Sequence, residues 1–279
     1  MTDAIVQSPA PSDGGRVRDL AVLRLPMAET PLAPCDGFSC RGQEGRAGIP
    51  APRFELGTKT DDEAHAWYRW LLGHHVSFGV WRLICRSLSE AAGDADLTAE
   101  LFDAYSALLL YSGSCTPQVY ADAIRPRMMS CHPAFSGTWS RDYELVRLLL
   151  GHPLQGEPRS RLNGAVKFNR LVHVLVAKRL VPGGSSLLRD SGRGSGLTTD
   201  AERDLFDAFF STRRVTTCAC EFVDQLLDRI DLILADLTAH PVTTRYGRDD
   251  LDRFQLELRG RFERLSSTTS ELITKGCAV

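Results

Sequence analysis

Trp67, Trp70, Leu71, His74, Phe78, Trp81, Cys85 and Leu88 recur at intervals of three and four. On an α-helix that spacing gathers the side chains into one apolar stripe, and it predicts a helix over about 62–90. Thr60-Asp61-Asp62-Glu63 opens it as a capping box, the hydroxyl and the carboxylate satisfying N–H groups that the first turn leaves free. A helix this long with so wide a stripe is stable only when packed against other helices. The rest of the chain supplies them, with periodic segments at about 97–111, 141–150, 163–181, 199–213, 217–238 and 248–274. Pro182-Gly183-Gly184 stops one of these, and Thr199-Asp200-Ala201-Glu202 starts another as a second capping box. Strand signals are weak and no internal repeat occurs. The expected fold is all-α, a helical bundle.

Ahead of the first helix the pattern changes. Seven of the 14 prolines fall within the first 52 residues, alongside Gly14-Gly15, Gly42, Gly45 and Gly48. Residues 1–58 therefore read as an irregular Pro/Gly-rich arm, in which only Val17 to Leu25 could make a short ordered element. Residues 59–279 read as one helical catalytic domain. Within it, Ser112 to Ser140 carries Gly113, Pro117, Pro126, Pro133 and Gly137. One short helix fits near 117–124, and the remainder is expected to be loop. Gly/Pro breaks follow at 151–158 and at 183–196.

Composition narrows the function. Lys and Arg number 33 against 35 Asp and Glu, so no cationic surplus exists for a nucleic acid or an anionic membrane surface. No apolar run approaches the roughly 20 residues that span a bilayer. The first ten residues lack a secretory signal, so a cytoplasmic protein is expected. The eight cysteines form no CxxC pair and read as free thiols, with Cys218-Ala-Cys220 opening a helix. Neither type of Gly-rich nucleotide loop is present, nor a HExxH metal motif, nor a GxSxG nucleophile elbow. Gly192-Arg193-Gly194-Ser195-Gly196 follows no strand and carries no dinucleotide argument.

The seven histidines are more informative. His173 lies within Leu171-Val172-His173-Val174-Leu175-Val176-Ala177, and the small Ala177 one turn on leaves room for a large flat ligand. A core histidine bonded to a carbonyl is the plainer alternative. His74 sits on the apolar seam of the first long helix and His75 one step round it. Paired histidines on different helices in apolar settings are one way a bundle holds a metal or a haem. His132, beside Pro133, is a secondary candidate.

These residues carry a resemblance. His75, Phe78 and Trp81 resemble the distal-histidine helix of tryptophan 2,3-dioxygenase, which has an aromatic at three and a tryptophan at six. His173-Val174-Leu175, with Arg179 and then Gly183-Gly184-Ser185-Ser186, resembles that family's proximal-histidine helix and its Gly-Gly-Ser-Ser loop. Pro133-Ala134-Phe135-Ser136-Gly137 resembles its Pro-Ala-Ser-Gly substrate loop with one residue inserted. The wider group is the histidine-ligated haem-dependent aromatic oxygenases. Length and helix order are most similar to its bacterial L-tyrosine 3-hydroxylases. There are departures: the gap before Gly183 is shorter, and Glu144 stands where the dioxygenases place a carboxylate-binding arginine.

The resemblance implies haem b between helices, its iron held by His173, with His75 over the open face as the acid–base residue. It implies Phe78 on the pocket wall, Ser136 and Ser185 (or Ser195) for the substrate ammonium, and an arginine for its carboxylate. Arg141 is preferred over Arg125 and Arg127. The implied reaction is peroxide-driven hydroxylation of L-tyrosine next to the phenol, giving L-DOPA, in natural-product biosynthesis. Hydrogen peroxide or dioxygen is the oxidant. Three alternatives stand beside it: an oxygenase of tryptophan or another indole, a haem-binding protein without turnover, and a haem-free interaction module. The sequence allows a homodimer.

Overall fold

The computed structural model describes residues 20–35, 60–89, 94–151, 160–192 and 197–276. Much of the expected arm, the break after 151, and Ser195 with its Gly-rich segment lie outside the described residues.

The protein is helical almost throughout, as the periodicity requires. Helix α1 spans Asp61–Ser89, with Glu63 N–H on the Thr60 hydroxyl at 3.2 Å and three acidic residues in its first turn. These favour the positive end of the helix dipole. Helix α2, Ala95–Ser112, is capped by Asp94, which accepts from the N–H groups of Asp96 and Leu97. Residues 117–131 hold more helix than the prolines suggest: a turn α3 (Pro117–Val119), a π-helical stretch (Tyr120–Ile124) and α4 (Arg125–Cys131). Pro117 falls in a first turn, where the missing N–H costs nothing, and Pro126 follows directly on the π-helical stretch. Helix α5 spans Arg141–Gly151, α6 Ser160–Leu180 and α7 Leu187–Asp190.

Helix α8, Asp200–Phe209, opens with a complete Thr199/Glu202 capping box. It ends earlier than the expected 213. Ser211 turns the chain at φ 50°, and Thr212–Arg214 becomes a strand, β2. Its partner is β1, Leu23–Leu25, paired in parallel across most of the chain. Residues 20–35, inside the expected arm, thus lie against the helical body. Helix α9 (Ala219–Ala239) starts at Cys218, whose sulfur caps it. The expected last helix is two, α10 (Asp249–Leu256) and α11 (Leu258–Gly276).

Helix α2 is central, packed between α1 and α6, and α9 lies against α1 and α11. Two glycines set the close approaches. A Cβ on Gly73 would lie 2.0 Å from Ser112 Oγ, and one on Gly113 2.4 Å from Val176 Cγ1. Helix α1 runs antiparallel to α2, with Gly73 opposite Ser112, Trp81 on Tyr105, and Ser87 bonded to Thr98. Helix α6 runs parallel to α2: Arg161 pairs with Asp96 and Glu100, Asn169 donates to Ser106 at 3.1 Å, and Val176 meets Gly113.

Candidate active site

The two adjacent histidines of α1 have opposite surroundings. His75 is fully buried. Its Nε2 lies 2.5 Å from the Phe210 carbonyl, and Arg229 Nε donates to Nδ1 at 3.3 Å. Both ring nitrogens are thereby used. Burial first, then the Arg229 charge, push its pKa down to about 3, so the ring is neutral. The sequence expectation sets His75 over a ligand; in the structure its one step round the helix points it at α9 and the turn before β2.

His74 is only half-buried. Its Nδ1 bonds the Trp70 carbonyl one turn back at 2.7 Å, and its ring stacks on Phe210 at 4.3 Å. That bond fixes the tautomer and leaves the Nε2 lone pair without a partner among the described residues. Burial lowers its pKa to about 4. Nearby, the buried Trp70 Nε1 also lacks an acceptor among the described residues.

His173 is exposed on α6, and partial desolvation lowers its pKa. It too has no hydrogen-bond partner among the described residues. Ala177, one turn on, is exposed as well, so the space the sequence reserved beside the imidazole is open.

The helix registers relate these two histidines. His74 follows Gly73, which faces Ser112, and His173 precedes Val176, which faces Gly113. At a rise of about 1.5 Å per residue the two lie within about one turn of the same level along α2. On α1, His74 is on one flank with Trp70, Phe78 and Trp81, and Trp81 meets Tyr105 and Tyr143. On α6, His173 is on one flank with Val166 and Arg170. These two line a cavity of about 150 Å³ with Phe102, Tyr105, Tyr143 and Arg147.

The other expected contacts are engaged elsewhere. Phe78, 1% exposed, is core, packed on Trp81, Phe206 and Phe210. Ser136 caps the 3-10 turn Gly137–Trp139, bonding Thr138 through both its backbone and hydroxyl. Arg141 is held by Asp204 and Asp207, and Arg125 by Asp190. Arg127 is buried over the Trp67 ring. Ser185 donates to Asp190. Each of these groups is committed within the protein, which argues against Arg141 as a free carboxylate clamp. Sequence reasoning missed Arg147 and Arg170, exposed cations on the cavity wall without an ion pair among the described residues. The signal available was Arg170 one turn before His173.

These side chains suit a redox cofactor with a flat apolar body and anionic edges. The chain is an oxidoreductase. Residues 19–155, just under half of the sequence, match the family model of SfmD 3-methyl-L-tyrosine peroxygenase. The match takes in α1, α2 and the 132–139 loop and ends before α6, so it does not reach His173. A comparison with curated proteins finds no match. No helix among the described residues is long and apolar enough to cross a membrane.

Proposed function

We propose that this protein is a haem-dependent peroxygenase that hydroxylates a tyrosine-type substrate at the ring carbon next to the phenol. The observation that supports the reading is that the helix registers bring His74 and His173 to about the same level along α2, each with a ring nitrogen that has no partner among the described residues. The donor set fits haem: an exposed imidazole on α6 flanked by Ala177, a cavity lined by Phe102, Tyr105 and Tyr143, and two arginines without an ion pair among the described residues. His173 would hold the iron, and the haem when bound supplies the redox chemistry that activates peroxide.

The remaining work falls to the chain's own residues. His74 Nε2, a base held in one tautomer by the Trp70 carbonyl, takes the phenol or peroxide proton and returns it. Arg147 and Arg170 receive carboxylates, whether of the haem or of the amino acid. The aromatic wall excludes water and packs the substrate ring. In sum, a ring C–H becomes C–OH and peroxide leaves as water. The family name supports a tyrosine-type substrate and peroxide as oxidant.

The test is an absorption spectrum of the purified chain with haem, followed by turnover of L-tyrosine and 3-methyl-L-tyrosine with peroxide. A Soret band that His173→Ala shifts or abolishes is expected, with a product heavier by one oxygen. A chain that shows no Soret band after haem supplementation overturns the reading. A gain of two oxygens on tryptophan replaces the substrate assignment.

A further inference from the structure

A second constellation lies on the opposite flank of α1, where that helix meets α9. His65 Nε2 is 2.6 Å from Asp236 Oδ1, and His240 Nδ1 is 3.4 Å from the same oxygen. The two imidazole rings stand 4.6 Å apart. One ligand atom from each of the three side chains falls within 4.8 Å of the others.

We propose that His65, Asp236 and His240 bind a divalent first-row transition cation such as zinc. The chemistry of the set favours this. Two imidazoles and one carboxylate are borderline ligands suited to zinc and its neighbours. Ligand atoms around a tetrahedral zinc lie about 3.3 Å apart, given bonds of about 2.0–2.1 Å. The observed separations bracket that value, and the histidine side chains, 32% and 63% exposed, have room to adjust. Their exposure also leaves the remaining coordination positions to water.

The carboxylate is held ready. Asp236 is buried, and its other oxygen accepts from Arg69 Nε at 2.7 Å and Tyr111 Oη at 3.0 Å. These bonds orient it and turn Oδ1 toward the histidines, the outer-shell arrangement that metal-ligating carboxylates use. Arg69 also donates to the His240 carbonyl, fixing the backbone where α9 ends. The Arg69 charge weakens the site without closing it, because it occupies Oδ2. A bound cation would join the start of α1 to the end of α9, adding to the packing between the two helices.

The test is calorimetric titration of the full-length chain with zinc chloride after EDTA treatment, together with the thermal midpoint with and without zinc. One equivalent per chain and a zinc-dependent rise in the midpoint are expected. Both effects should be lost in His65→Gln and in His240→Ala. The exposed His240 can be truncated without disturbing the core, and circular dichroism checks that each variant keeps its helix content. Absence of zinc binding by the unaltered chain overturns the proposal. So does either folded variant that retains its stoichiometry and midpoint shift.

Discussion

The two sides of α1 are built differently. Toward α9, β2 and α5, strong polar groups pair with one another. His75 uses both nitrogens, and Asp142 holds Arg82 and Arg214 at 3.2 and 2.8 Å with its carboxylate fully buried. Arg214 also pairs with Asp207 at 2.6 Å, and those two carboxylates raise its pKa. Other polar groups have no partner among the described residues: His74 Nε2 and Trp70 Nε1 on α1, Arg147 on α5, and Arg170 and His173 on α6. A buried polar group normally has a partner, so the paired network stabilises the fold, and the unpartnered groups are where the proposed ligand would bind.

The largest expected effect is in the paired network. Asp142→Ala leaves two buried guanidinium groups sharing what remains, and a loss of about 3–5 kcal/mol in urea unfolding is expected. Unchanged stability would mean that the network is not closed. Next come the adjacent histidines, which should exchange phenotypes. His74→Ala should keep the fold and the haem while turnover falls about 10²–10⁴-fold. His75→Ala strands Arg229 Nε and the Phe210 carbonyl. It should cost about 2–4 kcal/mol of stability while folded protein still turns over. The reverse pattern in steady-state kinetics and denaturation would restore His75 to the site.

Acid should reveal the same contrast. His75 titrates near 6.5 when unfolded and about 3 when folded, so between those values the unfolded chain binds more protons. His74 behaves alike, with a folded value of about 4. Stability should be full above pH 6.5 and should fall steadily as pH drops toward 3. In His75→Leu the dependence of the urea midpoint on pH between 6.5 and 4 should be shallower. The smallest effect is on the cavity wall, where Arg170→Ala should raise KM for the amino acid or weaken haem retention about ten-fold, with no change in melting temperature.

Much of the fold is legible in the residues. The stripe from Trp67 to Leu88, the Asp61 start and the Thr199/Glu202 box appear where local physics places them, because helix periodicity and capping act over a few residues. The β1–β2 pair is not legible. Leu23 meets Thr212 through a parallel contact across most of the chain, and no local pattern announces such a partner. The early end of α8 belongs to the same event, since Ser211 turns the chain into that pairing. The candidate site divides the same way. Histidines in apolar helical settings stand out in the sequence, whereas the commitment of Arg141 depends on Asp204 and Asp207, over sixty residues away.

The sequence by itself determined that this chain is a helical bundle, and it singled out histidines in apolar settings on α1 and α6 as the candidates for its chemistry. Tertiary structure gave His74 and His75 different surroundings. A step of one residue turns a side chain about 100° around a helix, and only the neighbours at each angle decide what the ring meets. It also joined His65 to Asp236 and His240, because a ligand set drawn from two ends of a chain exists only once the helices that bear it have packed.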